Sequence, residues 1–159
     1  MPETSNEELN VWRRRLASEA NNLAWDLSEK LSRSSEEDAQ MLHAAHASRY
    51  LWTTIGTERN IALADQLLGH VHALLGLGPT ATQYATKALA HFISQPSKPM
   101  QLAFAYAIQA NAAFAAGDAA LHRSSYAKAL EIADTLTDPG DRNVFEATLR
   151  VIPKPDAVG

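Results

Sequence analysis

The sequence predicts an all-α protein, on three observations. Gly76, Tyr84 and the triplet Lys87-Ala88-Leu89 are echoed by Gly117, Tyr126 and Lys128-Ala129-Leu130, with Gly76 to Gly117 and Lys87 to Lys128 both 41 residues apart. Hydrophobic residues make up 46% of the chain, alanine is very frequent, and glycine and proline fall at punctuation points, a composition of close-packed helices rather than strands. Apolar residues recur every three or four positions, the period of a helix face. A repeated helical hairpin cannot bury its apolar side alone, so the hairpins are expected to stack.

The first helix is expected to open at Thr4 or Ser5, where Thr4 with Glu7, or Ser5 with Glu8, has capping-box spacing. Its apolar series is Leu9, Trp12, Leu16, Ala20, Leu23, Leu27 and Leu31, and it should end near Ser32. Ser35 with Asp38 starts a second helix by the same logic, running through Met41, Leu42, Ala45, Tyr50 and Trp52 to Gly56. Thr57 caps a third, with Ile61, Ala64, Leu67, Leu68, Val71, Leu74 and Leu75 before Gly76. Gly78-Pro79 marks a turn, and a fourth helix from about Thr80 carries Ala81, Ala85, Ala88, Leu89 and Phe92 until the Pro96 to Pro99 stretch interrupts it. A fifth from about Met100 stops at Gly117-Asp118. A sixth carries Leu121, Tyr126, Ala129, Leu130 and Ile132, and Asp141 through Ile152 forms the last. Short connections imply antiparallel neighbours.

At 159 residues the chain suits one domain, 1–159. With 14 Lys+Arg against 18 Asp+Glu the net charge is -4, which argues against nucleic acid as a partner. Cysteine is absent, excluding disulfides, thiolate metal sites and a cysteine nucleophile. The start is acidic and polar, and no apolar run reaches the ~20 residues of a spanning helix. No membrane association is expected, and the cytoplasm is the default compartment.

The echoing units resemble the tetratricopeptide repeat. From about Ala62 to Pro96, Leu68-Gly69 stand where that family has its first-helix Leu-Gly pair, Gly76 at the inter-helix glycine, Ala81 at a close-packing position and Ala88-Leu89 at the second-helix Ala-Leu. In the next unit Tyr106, Ala110, Gly117-Asp118, Tyr126 and Ala129-Leu130 correspond. Gln109 and His122 depart from the pattern, and the units exceed the family's usual ~34 residues. The segment from His43 to Trp52, with Gly56-Thr57 and Asn60, is also similar to a group of small bacterial tetratricopeptide-like proteins of unassigned function. The resemblance implies a short right-handed stack: a degenerate first hairpin over about 5–55, repeats over 57–95 and 98–137, and a capping helix over 139–152.

That family lines a concave groove with its first helices, which would place Gln66 and His70, then Phe104, Ala107, Asn111 and Phe114, on the inner surface. The implied function is a non-catalytic scaffold holding a protein or peptide segment there. The family's carboxylate-gripping clamp is not matched, because Gln66 and Ala107 stand where lysine would be wanted.

A second reading is a small metal- or anion-binding enzyme or sensor. His43 and His46 stand one turn apart on the second helix, and Asp65 on the next antiparallel helix would supply a third ligand, with His70 and His72 as others; such donors suit zinc, iron or manganese. The plainer reading is hydrogen-bonded or exposed histidines and no cofactor. Arg49 with Ser48, Tyr50 and Asn60 would make a polar anion pocket, or Arg49 pairs with Asp38, Glu58 or Asp65 to fasten two helices. Trp12, Trp25 and Trp52 are expected as packing anchors, with Trp25, off the main stripe, the one suspected of facing a partner. A homodimer paired through end helices is a third reading. No glycine-rich phosphate loop, Gly-x-Ser-x-Gly elbow or His-Glu-x-x-His occurs.

Overall fold

Side-chain caps and first-turn prolines set where the helices begin. The structure, a computed structural model, describes residues 5–156, which form seven helices and, among the described residues, no strand. In front of α1 (Asn6–Ser28), Ser5 Oγ accepts from the Glu8 N–H at 3.2 Å while the Glu8 carboxylate accepts from the Ser5 N–H at 3.1 Å. Ser34 and Glu37 do the same for α2 (Ser35–Ile55), and Thr57 and Asn60 for α3 (Glu58–Leu74). Proline occupies the first turn of α4 (Gly78–Ser94), α5 (Pro99–Ala116) and α7 (Pro139–Leu149). There its missing N–H removes nothing from the helix. Asp118 caps α6 (Ala119–Ala133), its carboxylate accepting from the Leu121 N–H at 3.0 Å.

Four expected boundaries are corrected. The second cap is Ser34 with Glu37 rather than Ser35 with Asp38, since the longer glutamate reaches back to the cap N–H; Asp38 instead takes Arg33 at 2.6 Å. α1 stops at Ser28 rather than near Ser32, and Lys30 and Arg33 pair with Glu37 and Asp38 across the turn. α4 and α7 begin two residues earlier than expected because their prolines start the helix rather than precede it. Thr4, the alternative first cap, lies outside the described residues.

Helices adjacent in sequence pack from α1 through α6, and α3 also touches α1 and α5, while α7 lies on α5. Small residues set the spacing. A Cβ on Gly69 would stand 3.0 to 3.2 Å from the Ala85 backbone and Cβ, and one on Gly78 2.6 Å from the Ala115 carbonyl oxygen and Ala116 backbone. Gly76 and Gly117, at matching points of the echo, take positive φ of 75° and 78° as α3 and α5 end. Met41, Leu67, Leu68 and Val71 fill one part of the core, Phe92 and Leu89 a second, and Phe104, Ile108, Phe145 and Ile152 a third.

The buried face of α1 is Ala17, Ala24, Leu27 and Ser28, so of the expected leucine series only Leu27 is buried. Ser48 Oγ donates to the Ala17 carbonyl at 3.0 Å, so small side chains bring α1 close to α2 and leave Leu9, Trp12, Leu16 and Leu23 in solvent. Trp12 is therefore no packing anchor. The two departures from the repeat pattern are satisfied by hydrogen bonds: Ser125 Oγ donates to Gln109 Oε1 at 2.9 Å, and His122 Nε2 donates to the Pro153 carbonyl at 2.7 Å. No helix of the described residues is long and apolar enough to cross a membrane.

Candidate functional site

Four helices present side chains to one open cavity of about 450 Å³, those of α1, α3 and α7 at three- or four-residue spacing. α1 gives Trp25 and Glu29, α3 gives Arg59, Leu63 and Gln66, α5 gives Met100, Gln101 and Phe104, and α7 gives Asp141, Val144 and Thr148, with Lys98 at the entrance to α5. Its floor is aromatic. Trp25 meets Phe104 edge-on at 6.1 Å between ring centroids, and Phe104 meets Phe145 at 5.9 Å, which ties the cavity to the core beneath α7.

Three buried side-chain atoms lack any hydrogen-bond partner among the described residues: Gln66 Oε1, Thr148 Oγ1 and His70 Nε2. Gln66 and Thr148 line the cavity from opposite helices. His70 lies one turn beyond Gln66 on α3, fully buried behind Trp25, whose ring stacks on it at 5.5 Å. Asn111 Nδ2 donates to His70 Nδ1 at 3.1 Å, which leaves the ring proton on the unpartnered Nε2. Burial, with the Arg33 charge adding to it, lowers the His70 pKa to about 3, so the ring is neutral. An unpartnered buried polar atom costs ~1–3 kcal/mol, so each of the three lowers the stability of the fold around it. Four charged groups, Glu29, Arg59, Lys98 and Asp141, also line the cavity, and none of them pairs with another among the described residues.

No known family model matches this chain, and no curated protein or solved structure matches it. The arrangement of its own residues therefore carries the functional reading.

Of the groove residues expected from the sequence, Gln66 and Phe104 reach the cavity. His70, Ala107 and Asn111 do not, because all three are buried in the core behind its wall. Phe114 is 52% exposed and packs on His122, 5.3 Å away on α6. Trp25, suspected from its place off the leucine stripe, is a cavity residue. α7, expected only as a capping helix, also lines the cavity, and the spacing of Asp141, Val144 and Thr148 on one helix face is the sequence signal for it.

The second constellation separates. His43 faces an apolar trough with Leu16, Ala20 and Leu51, whereas His46 packs edge-on against His72 at 5.3 Å and near Tyr84. The His46 pKa is lowered, first by partial burial and then by His72 and His43. Asp65 is buried in an ion pair with Arg49, Nε to Oδ1 2.6 Å, and Arg49 also bonds Thr53. Among the described residues no group of three His, Cys, Asp or Glu side chains stands together as metal ligands, so His43, His46 and Asp65 do not form the expected set. Asn60 is spent on the α3 cap, and Arg49 fastens α2 to α3 rather than opening an anion pocket.

Proposed function

We propose that this chain is a non-catalytic, tetratricopeptide-like interaction module whose cavity between α1, α3, α5 and α7 holds a segment of a partner protein. Paired helices with close approach at Gly69 and Ala85, and left-handed glycines at matching points of the echo, support the repeat reading. One observation carries the function: the Trp25 and Phe104 rings line the cavity together with Glu29, Arg59, Lys98 and Asp141, none of which pairs with another among the described residues. An occupant that fits is apolar in body, to lie on the two rings, and carries an N–H donor for the Glu29 or Asp141 carboxylate, as an indole does. The mixed-sign charges around it suit a peptide backbone with side chains of both signs.

The test is selection of displayed random 12-residue peptides, an arbitrary library length, on the tag-free protein. Enriched peptides are expected to share an aromatic side chain with an N–H donor, to lose at least tenfold in affinity against Val144→Glu, and to bind Phe114→Ala unchanged. Peptides that bind Val144→Glu as well as the native chain, or no enrichment at all, would overturn the reading.

A further inference from the structure

The first helix carries an apolar stripe that the fold leaves in water. Leu9, Trp12, Leu16 and Leu23 are 37%, 57%, 48% and 38% exposed, on the side of α1 away from Ala17 and Ala24. The stripe continues over Ala20 into the shallow trough against α2, which ends at Leu51. Four large apolar side chains exposed along one face of a single helix form a contiguous patch of the kind that marks a protein–protein contact.

The order of side chains along the stripe selects the occupant. Position 16 is its centre, with Leu9 and Leu23 seven residues to either side and Trp12 and Ala20 four to either side. Two copies of α1 crossing antiparallel about a two-fold axis at Leu16 put Leu9 over Leu23, the large Trp12 over the small Ala20, and Leu16 over itself. Self-complementarity of that kind is what an isologous contact requires. The open flank fits too. At 100° and ~1.5 Å per residue, Arg15 and Glu19 are neighbours on one edge of the stripe, Glu19 also lining the trough, and in an antiparallel pair like edges meet, so Glu19 of each copy comes within ~3 Å in height of Arg15 of the other. Both side chains are exposed, and neither forms an ion pair among the described residues; Arg15 lies over the Trp12 ring at 5.5 Å.

We infer that the chain forms a two-fold homodimer through α1, centred on Leu16, with the α1–α2 trough completing the contact. The cavity of the candidate site is lined from the other side of α1, by Trp25 and Glu29, so each copy keeps its own.

Sedimentation equilibrium of the tag-free chain tests this. The native protein is expected at twice 17.3 kDa. Leu16→Glu is expected at the monomer mass with unchanged helical circular dichroism. Arg15→Glu is expected to weaken the dimer at least tenfold, and the double reversal Arg15→Glu with Glu19→Arg to restore it. Because the chain has no cysteine, Leu16→Cys provides an independent reading: mild oxidation should link two copies, while Ile93→Cys on exposed α4 should not. A native monomer across the micromolar range, a dimer that survives Leu16→Glu, or equal cross-linking at positions 16 and 93 would overturn the inference.

Discussion

The Trp25 indole stacks on the His70 imidazole, ring centroids 5.5 Å apart and planes 28° apart, and so closes the histidine off from the cavity that the same indole lines. A neutral imidazole is thereby buried directly behind the cavity wall, and its protonation is coupled to the integrity of that wall.

Stability should fall with acid because of His70. Its folded pKa is about 3, below the ordinary histidine value of 6.5. Above pH 6.5 neither state binds the proton, and the group has no effect on the pH dependence; below it the unfolded chain binds a proton that the folded chain refuses. Stability is therefore lost by ~1.4 kcal/mol per pH unit as pH falls from about 6.5 toward 3. Urea unfolding of the native chain and His70→Gln over that range should show the native midpoint falling more steeply. Parallel curves would show that His70 is protonated in the folded state.

Gln66→Met should make the protein more stable. It removes an unpartnered buried oxygen with little change in volume, and a gain of ~1 kcal/mol corresponds to a Tm higher by ~2–4 °C. Thermal unfolding of the two chains measures the effect. A lower Tm would mean that Gln66 has partners in the folded chain.

Arg49→Met should cost ~2–4 kcal/mol, because it leaves the buried Asp65 carboxylate without its cation. Asp65→Leu added to Arg49→Met should recover most of that loss. If the single change costs less than ~0.5 kcal/mol by urea unfolding, the pair is a surface contact only.

Gly78→Ala should destabilise by ~2 kcal/mol or more although alanine is the better helix former by ~1 kcal/mol. The added carbon would stand 2.6 Å from the Ala115 carbonyl oxygen, a backbone atom that cannot rotate away. A raised Tm would place α4 farther from the end of α5.

Helix number and turns were legible because their determinants are local: Ser5 with Glu8, Thr57 with Asn60, and the glycines and prolines between helices. The second cap moved by one residue because the choice between Ser34 and Ser35 depends on whether Glu37 or Asp38 can reach the cap N–H. Which face of α1 is buried was not legible. Periodicity finds the Leu9 to Leu23 stripe, but Ala17, Ala24 and Ser48 decide which side approaches α2. Gln66, Phe104 and Trp25 were within reach of the sequence, whereas His70 and Asn111 share their helix faces and differ only in depth. The spacing of His43 and His46 put them on one helix without fixing what each would meet.

Titration of the ¹⁵N-labelled protein with indole, followed by NMR, tests the binding cavity most directly, since indole pairs an apolar body with one N–H donor. Saturable shifts confined to Trp25, Gln66, Phe104, Val144 and Thr148, and abolished in Val144→Glu, are the expected result. Shifts that never saturate, or that persist in Val144→Glu, would contradict a binding site between α1, α3, α5 and α7.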